Sequence, residues 1–143
     1  YRGIFKSIHS VDRTTFGAEA YPVGVLIATY CFLPLDKNAF IYGMLVGGFS
    51  DSMASVIGKY YKYKELIFFG QKKSLGGSIS FFITTVIISY LFFFVFGLEL
   101  SLMSILIISF ILTIAELVQT FGFDNITIPA LSGMALNYFK YVT

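Results

Sequence analysis

The chain alternates long apolar runs with short polar breaks. Five runs stand out: 20–35, 39–58, 76–98, 101–121 and 126–138. Three breaks are brief: Pro34 with Asp36 to Asn38, Gly97 to Leu100 around Glu99, and Gly122 to Asn125. One is long, the lysine-rich stretch 59–73. A helix needs about 20 apolar residues to cross a bilayer, and helices satisfy their own backbone in lipid. The pattern predicts an all-α, polytopic integral membrane protein with four or five transmembrane helices and no β-sheet. The first run is short for a crossing. The fifth, holding Pro129 and Gly133, reads as a span or a half-span. The residues before 20 are polar and basic and read as a short interfacial segment, with Pro22 suited to a first helical turn. Residues 1–143 read as a single domain without internal repeats. The start at Tyr1 rather than Met is consistent with a fragment edge and with further helices upstream.

Composition agrees with this pattern. The chain is 57% hydrophobic and 13% charged, whereas soluble domains sit near 45–50% and about 25%. The lysines interrupt apolar spans and do not coat a soluble face, which argues against nucleic-acid binding. The single cysteine, Cys31, excludes an intrachain disulfide and a cysteine metal cluster, and is expected as a small buried hydrophobe. The single histidine, His9, is expected at headgroup level.

The placement of charge sets an orientation. With the amino terminus in the cytoplasm, Arg2, Lys6, Arg13, Lys59, Lys62, Lys64, Lys72 and Lys73 fall inside, and only Lys37 and Lys140 fall outside. Eight against two is a strong positive-inside bias. The same threading brings Asp51, Glu116, Asp124 and the start of the third run to the cytoplasmic side.

Asp51 and Glu116 are acids within apolar runs, where a carboxylate marks a functional or paired group. On the second run Gly43, Gly47 and Asp51 recur at i, i+4 and i+8 and share a helix face, with Ser55 and Gly58 continuing it. The glycines read equally as a helix-packing stripe. Asp51 needs a cation, either a lysine or a metal, and hard oxygen ligands near phosphate suit magnesium. The segment Lys72-Lys73-Ser74-Leu75-Gly76-Gly77-Ser78 lacks Walker spacing. It offers two cations, hydroxyls and amides at a helix start, a setting for phosphate, although paired lysines there also serve as topology anchors. Glu116, flanked by Thr113 and Thr120, reads as a second metal ligand, as a proton acceptor, or as the partner of Lys72 or Lys73. Asp124-Asn125 reads by itself as a turn and N-cap.

Three blocks, SDSMASVIGKYY, QKKSLGGSISFF and AELVQTFGFDNITIPALSG, together resemble the dolichol and phytol kinase family of CTP-dependent lipid kinases, and more distantly the CDP-diacylglycerol synthases. The resemblance covers roughly residues 43–129. It implies that Asp51 is a metal and nucleotide acid, with Ser52, Ala54, Gly58 and Lys59 completing that block. It implies that Lys72, Lys73, Ser74, Gly77 and Ser78 form a nucleotide-phosphate loop. Glu116, Asp124 and Asn125 resemble the second acidic block, so Asp51, Glu116 and Asp124 are the implied metal ligands. The family usually carries Glu where this chain has Gly76.

The expected activity is a magnesium-dependent transfer of the γ-phosphoryl of CTP, or another nucleoside triphosphate, to a lipid alcohol at the cytoplasmic face. Phytol, dolichol, other polyprenols and diacylglycerol are the candidate alcohols. Asp51, Lys73 and Glu116 are the expected catalytic residues. A phosphatidate cytidylyltransferase is the first rival, separated by its products. A small transporter or non-enzymatic membrane subunit is the second, marked by absence of magnesium-dependent nucleotide binding.

Overall fold

Three of the apolar runs begin where a polar side chain can hold free backbone amides. Helix starts leave N–H groups without partners, and short oxygen-bearing side chains satisfy them. Asp36 Oδ1 accepts from the amides of Asn38 at 2.8 Å and Ala39 at 3.3 Å. Ser74 Oγ accepts from Gly77 N at 3.1 Å, and Ser101 Oγ from Ser104 N at 3.1 Å. The computed structural model describes residues 17–61, 64–68, 71–119 and 122–142. The helices among the described residues are α1 (Gly17–Phe32), α2 (Lys37–Tyr60), α3 (Leu75–Phe96), α4 (Leu102–Val118) and α5 (Asp124–Val142). The expected polar segment with His9 lies outside the described residues.

The expectation of no β-structure is corrected at one place. Within the long polar break, β1 (Glu65–Phe68) and β2 (Gln71–Ser74) pair antiparallel, Glu65 opposite Ser74 and Phe68 opposite Gln71. The lysines hid a Leu-Ile-Phe strand there. This two-stranded ribbon stands outside the core, which is helical throughout. Pro22 lies inside α1 and not at its first position, because the helix starts earlier, at Gly17. Cys31 is exposed, contrary to its expected burial, because it lies on the outward side of α1.

The helices run up and down. Gly58 meets Gly77 across α2 and α3, while Tyr42 meets Ser89 at their other ends. Lys140 Nζ bonds Asp36 Oδ2 at 3.0 Å, tying the end of α5 to the start of α2. One end of the bundle therefore carries Asp36 and Lys140, and the opposite end carries the ribbon and the start of α5.

Among the described residues two helices, α2 and α3, are long and apolar enough to cross a membrane, and only 33% of each apolar window is buried. α1 and α4 are shorter, at 16 and 17 residues. On α3 the residues Ile79, Ile83, Ile87, Leu91 and Phe94 form an exposed apolar ridge, with Phe94 77% exposed. Water would penalise such a surface, whereas lipid does not. The interior is comparatively polar. Thr85 Oγ1 donates to Ser50 Oγ at 3.0 Å, Ser89 Oγ bonds Thr85 O at 2.7 Å, and Tyr42 Oη and Ser89 Oγ lie 2.7 Å apart. Small hydroxyl residues inside and large apolar residues outside are the arrangement of a membrane-associated bundle.

Glycine lets the helices approach. A Cβ on Gly47 would lie 2.6 Å from Cγ of Pro129, and one on Gly43 would overlap the Pro129 carbonyl. The packing reading of these two glycines is thereby met: they seat α2 on α5.

Candidate functional site

The site builds up where α2, α4, α5 and the ribbon meet. Asp51 opens the last ten residues of α2, directly after a π-helical turn at Val46–Ser50. It is partly buried, and it interacts electrostatically with Asp124, Glu116 and Lys73. The threading placed these four residues on one side, and the fold brings Asp124, Glu116 and Lys73 within the field of Asp51.

Lys73 is the cation among them. Its Nζ donates to Glu116 Oε1 at 2.7 Å and also to the Glu116 carbonyl oxygen. That carbonyl belongs to the last turn of α4, where helix oxygens lack partners and the dipole favours a cation. Ser78 Oγ donates to Glu116 Oε2 at 3.4 Å. Both carboxylate oxygens of Glu116 are therefore engaged within the protein. Of the three readings the sequence left open for Glu116, the lysine partnership is the one seen in this geometry, with Lys73.

Ser74, Gly77 and Gly58 form a close crossing. Ser74 Oγ caps α3, and a Cβ on Gly58 would lie 2.8 Å from it. A Cβ on Gly77 would lie 3.0 Å from the Ala54 carbonyl, so Ala54 also serves this contact. The amide of Leu75 donates to Lys64 O at 3.1 Å. Two amides at the start of α3, those of Leu75 and Gly77, thus already have partners. Gly76 stands where the resembling family carries Glu. A Cβ there would lie 2.7 Å from Tyr61 O, so this backbone path has no room for that side chain.

Asp124 begins α5 and is not merely a turn residue. Its Oδ1 accepts from the backbone N and Nδ2 of Asn125, at 3.0 and 3.4 Å. Thr127 Oγ1 donates to Gln119 Oε1 and to Phe123 O, fastening the end of α4 to the start of α5. Two candidates stand apart. Ser52 is exposed and its hydroxyl donates to Gly48 O at 2.6 Å. Lys59 is exposed at the end of α2. Lys72 lies in β2 opposite Ile67; Thr120 lies outside the described residues.

Asp51 lies in the field of two further carboxylates, Asp124 and Glu116, and of one lysine, Lys73, which Glu116 already pairs. Among the described residues no three His, Cys, Asp or Glu side chains converge as a ready metal cage.

Sequence reasoning missed the hydroxyl network of Tyr42, Ser50, Thr85 and Ser89 and the π turn before Asp51. The network had a signal, since Ser78, Thr85 and Ser89 recur at helical spacing in the third run. The turn, in Val-Gly-Gly-Phe-Ser, had none that periodicity can read.

No family profile matches the chain, and no solved structure matches it significantly. The chain is 30% identical over 142 residues to a phytol kinase of Synechocystis sp., covering 92% of itself and 58% of that relative. It is 30% identical over 122 residues to an uncharacterised protein of Methanocaldococcus jannaschii, covering 85% of itself and 58% of that protein. The chain thus spans less than two thirds of the curated relatives it matches. The likeness supports a distant relationship to the polyprenol and phytol kinase family.

Proposed function

We propose that this chain forms the nucleotide- and alcohol-handling part of a multi-pass membrane lipid kinase. It transfers the terminal phosphoryl group of a nucleoside triphosphate, CTP in the first instance, to the hydroxyl of an isoprenoid alcohol. The observation that carries this reading is the convergence of Asp51, Asp124, Glu116 and Lys73 at one end of an apolar bundle. The similarity to a phytol kinase supports it. Lys59, Lys64, Lys72 and Lys73 at this end, against Lys37 and Lys140 at the other, argue that it faces the cytoplasm.

Asp51 and Asp124 would hold magnesium together with the nucleotide phosphates. When bound, that ion supplies charge neutralisation between phosphate oxygens. Lys73 supplies positive charge beside the transferred group, where electrostatics provide most of the catalysis. Glu116, gripped by Lys73 and Ser78, fixes where that ammonium sits. The alcohol oxygen attacks the terminal phosphorus and the bond to the bridging oxygen breaks. The nucleoside diphosphate departs, and the hydroxyl proton passes to a carboxylate of the cluster.

Purified protein with labelled CTP or ATP and a panel of lipid alcohols tests the reading. The expected products are a phosphorylated alcohol and a nucleoside diphosphate. Asp51→Asn is expected to abolish transfer with little change in melting temperature. A CDP-lipid with pyrophosphate, or native turnover by Asp51→Asn at saturating magnesium, defeats the proposal.

A further inference from the structure

A membrane helix that buries contacts on two neighbours must keep both faces in phase along its whole length. At about 100° per residue, a regular helix starting from Tyr42 would put Ser50 about 80° round, Ala54 about 120° and Asp51 about 180°. The contacts of α2 do not follow those angles. Tyr42 bonds Ser89, Ser50 bonds Thr85, and Ala54 lies against Gly77, so all three face α3. Gly43 and Gly47 both face Pro129 of α5.

A π turn holds one surplus residue, so everything after it keeps the phase of a residue one position earlier. The angles then become about −20° for Ser50, about 20° for Ala54 and about 80° for Asp51. This second set reproduces the contacts. Asp51 falls beside Gly43, on the flank toward α5, whose first residue is Asp124. Ser52 takes the angle of about 180°, and Ser52 is exposed. A straight α2 would therefore put Asp51 where Ser52 now stands, on the outward side.

We infer that the π turn Val46–Ser50 is the device that aims Asp51: one surplus residue swings the carboxylate from the outward side of α2 toward Asp124. The inference rests on the reading of the site given above. Gly48 is the natural surplus residue, since a Cβ built on it meets nothing within 4 Å.

Deleting Gly48 would remove the bulge and leave the phase of Asp51 unchanged. Inserting one alanine after Gly48 would turn Asp51 by about 100°, moving its carboxylate about 8 Å on a helix of this radius. Spin labels at Asp51→Cys and Asp124→Cys, with the exposed Cys31→Ser, report this directly through dipolar broadening. The deletion is expected to keep the broadening and, in otherwise native protein, transfer near the native rate. The insertion is expected to lose the broadening and to slow transfer about 100-fold, the usual consequence of misplacing a reacting group. A deletion protein that loses the broadening, or fails to fold, overturns the inference, as does an insertion protein that keeps it. Should the insertion not fold, the deletion alone decides. If the broadening follows the expected pattern while native protein phosphorylates no alcohol, the functional reading falls and the positioning role stands.

Discussion

The Lys73–Glu116 pair gives the sharpest quantitative test. The two side chains are 14% and 9% exposed, at 2.7 Å. Removing one partner of a buried pair strands the other charge and costs about 3–5 kcal/mol. In Glu116→Ala, Lys73 keeps the residue-116 carbonyl, so the lower figure of about 3 kcal/mol applies. A chain of this size shifts by about 2–4 °C per kcal/mol, which makes the expected drop about 6–12 °C. Glu116→Gln keeps the shape and an acceptor and should lose less, about 1–3 kcal/mol. The double variant Lys73→Met, Glu116→Leu leaves no stranded charge and should fall well short of the sum of its singles. Circular dichroism melts in one detergent measure all of these. A Glu116→Ala protein that melts with the native one, or a strictly additive cycle, would refute the account of this pair as a buried anchor.

Two further outcomes follow from local geometry. Gly76→Glu, which installs the residue of the resembling family, should destabilise the chain by about 1–3 kcal/mol through overpacking against Tyr61 O; an unchanged melting temperature would count against this backbone path. At Asp36, burial pushes the carboxyl up, but the bond from Lys140, the amides of Asn38 and Ala39 and the charge of Lys140 outweigh it, so the group sits below its ordinary 3.8. Its stabilising effect is full above that value and is lost as pH falls through the folded one; Asp36→Asn should thus narrow the difference in stability between about pH 6 and pH 3, followed by thermal melts, by no more than about 1 kcal/mol for so exposed a pair.

Much of this architecture was legible because lipid imposes long apolar runs and few ways to end them. Asp36, Ser74 and Ser101 announce three helix starts, and the acids stood out against their surroundings. Periodicity also put Gly43, Gly47 and Asp51 on one face, correctly in outcome but by the wrong route. It assumed a regular helix, in which Asp51 would have drifted outward. The ribbon was hidden because Lys64, Lys72 and Lys73 made residues 59–73 read as a solvated loop, although Leu66 to Phe68 carry strand-forming side chains. The partner of Glu116 was undecidable from sequence, since Lys72 and Lys73 are adjacent and only a strand's placement chooses between them.

Pro129 has a consequence for how the site can move. It lacks an N–H, so the Asn125 carbonyl one turn earlier has no helical partner, and that oxygen lies against Gly24 of α1. Its own carbonyl lies against Gly43, and its ring fills the space left by Gly47. One turn of α5 therefore grips α1 and α2 with backbone and ring atoms, which have no rotamers to change. Asp51 and Asp124 stand on that clamped side. Lys73 and Glu116 are held instead by their own ion pair and by the Glu116 carbonyl. The Asp51 and Asp124 side of the site is thus fixed by backbone and ring atoms, and the Lys73 and Glu116 side by a buried side-chain pair.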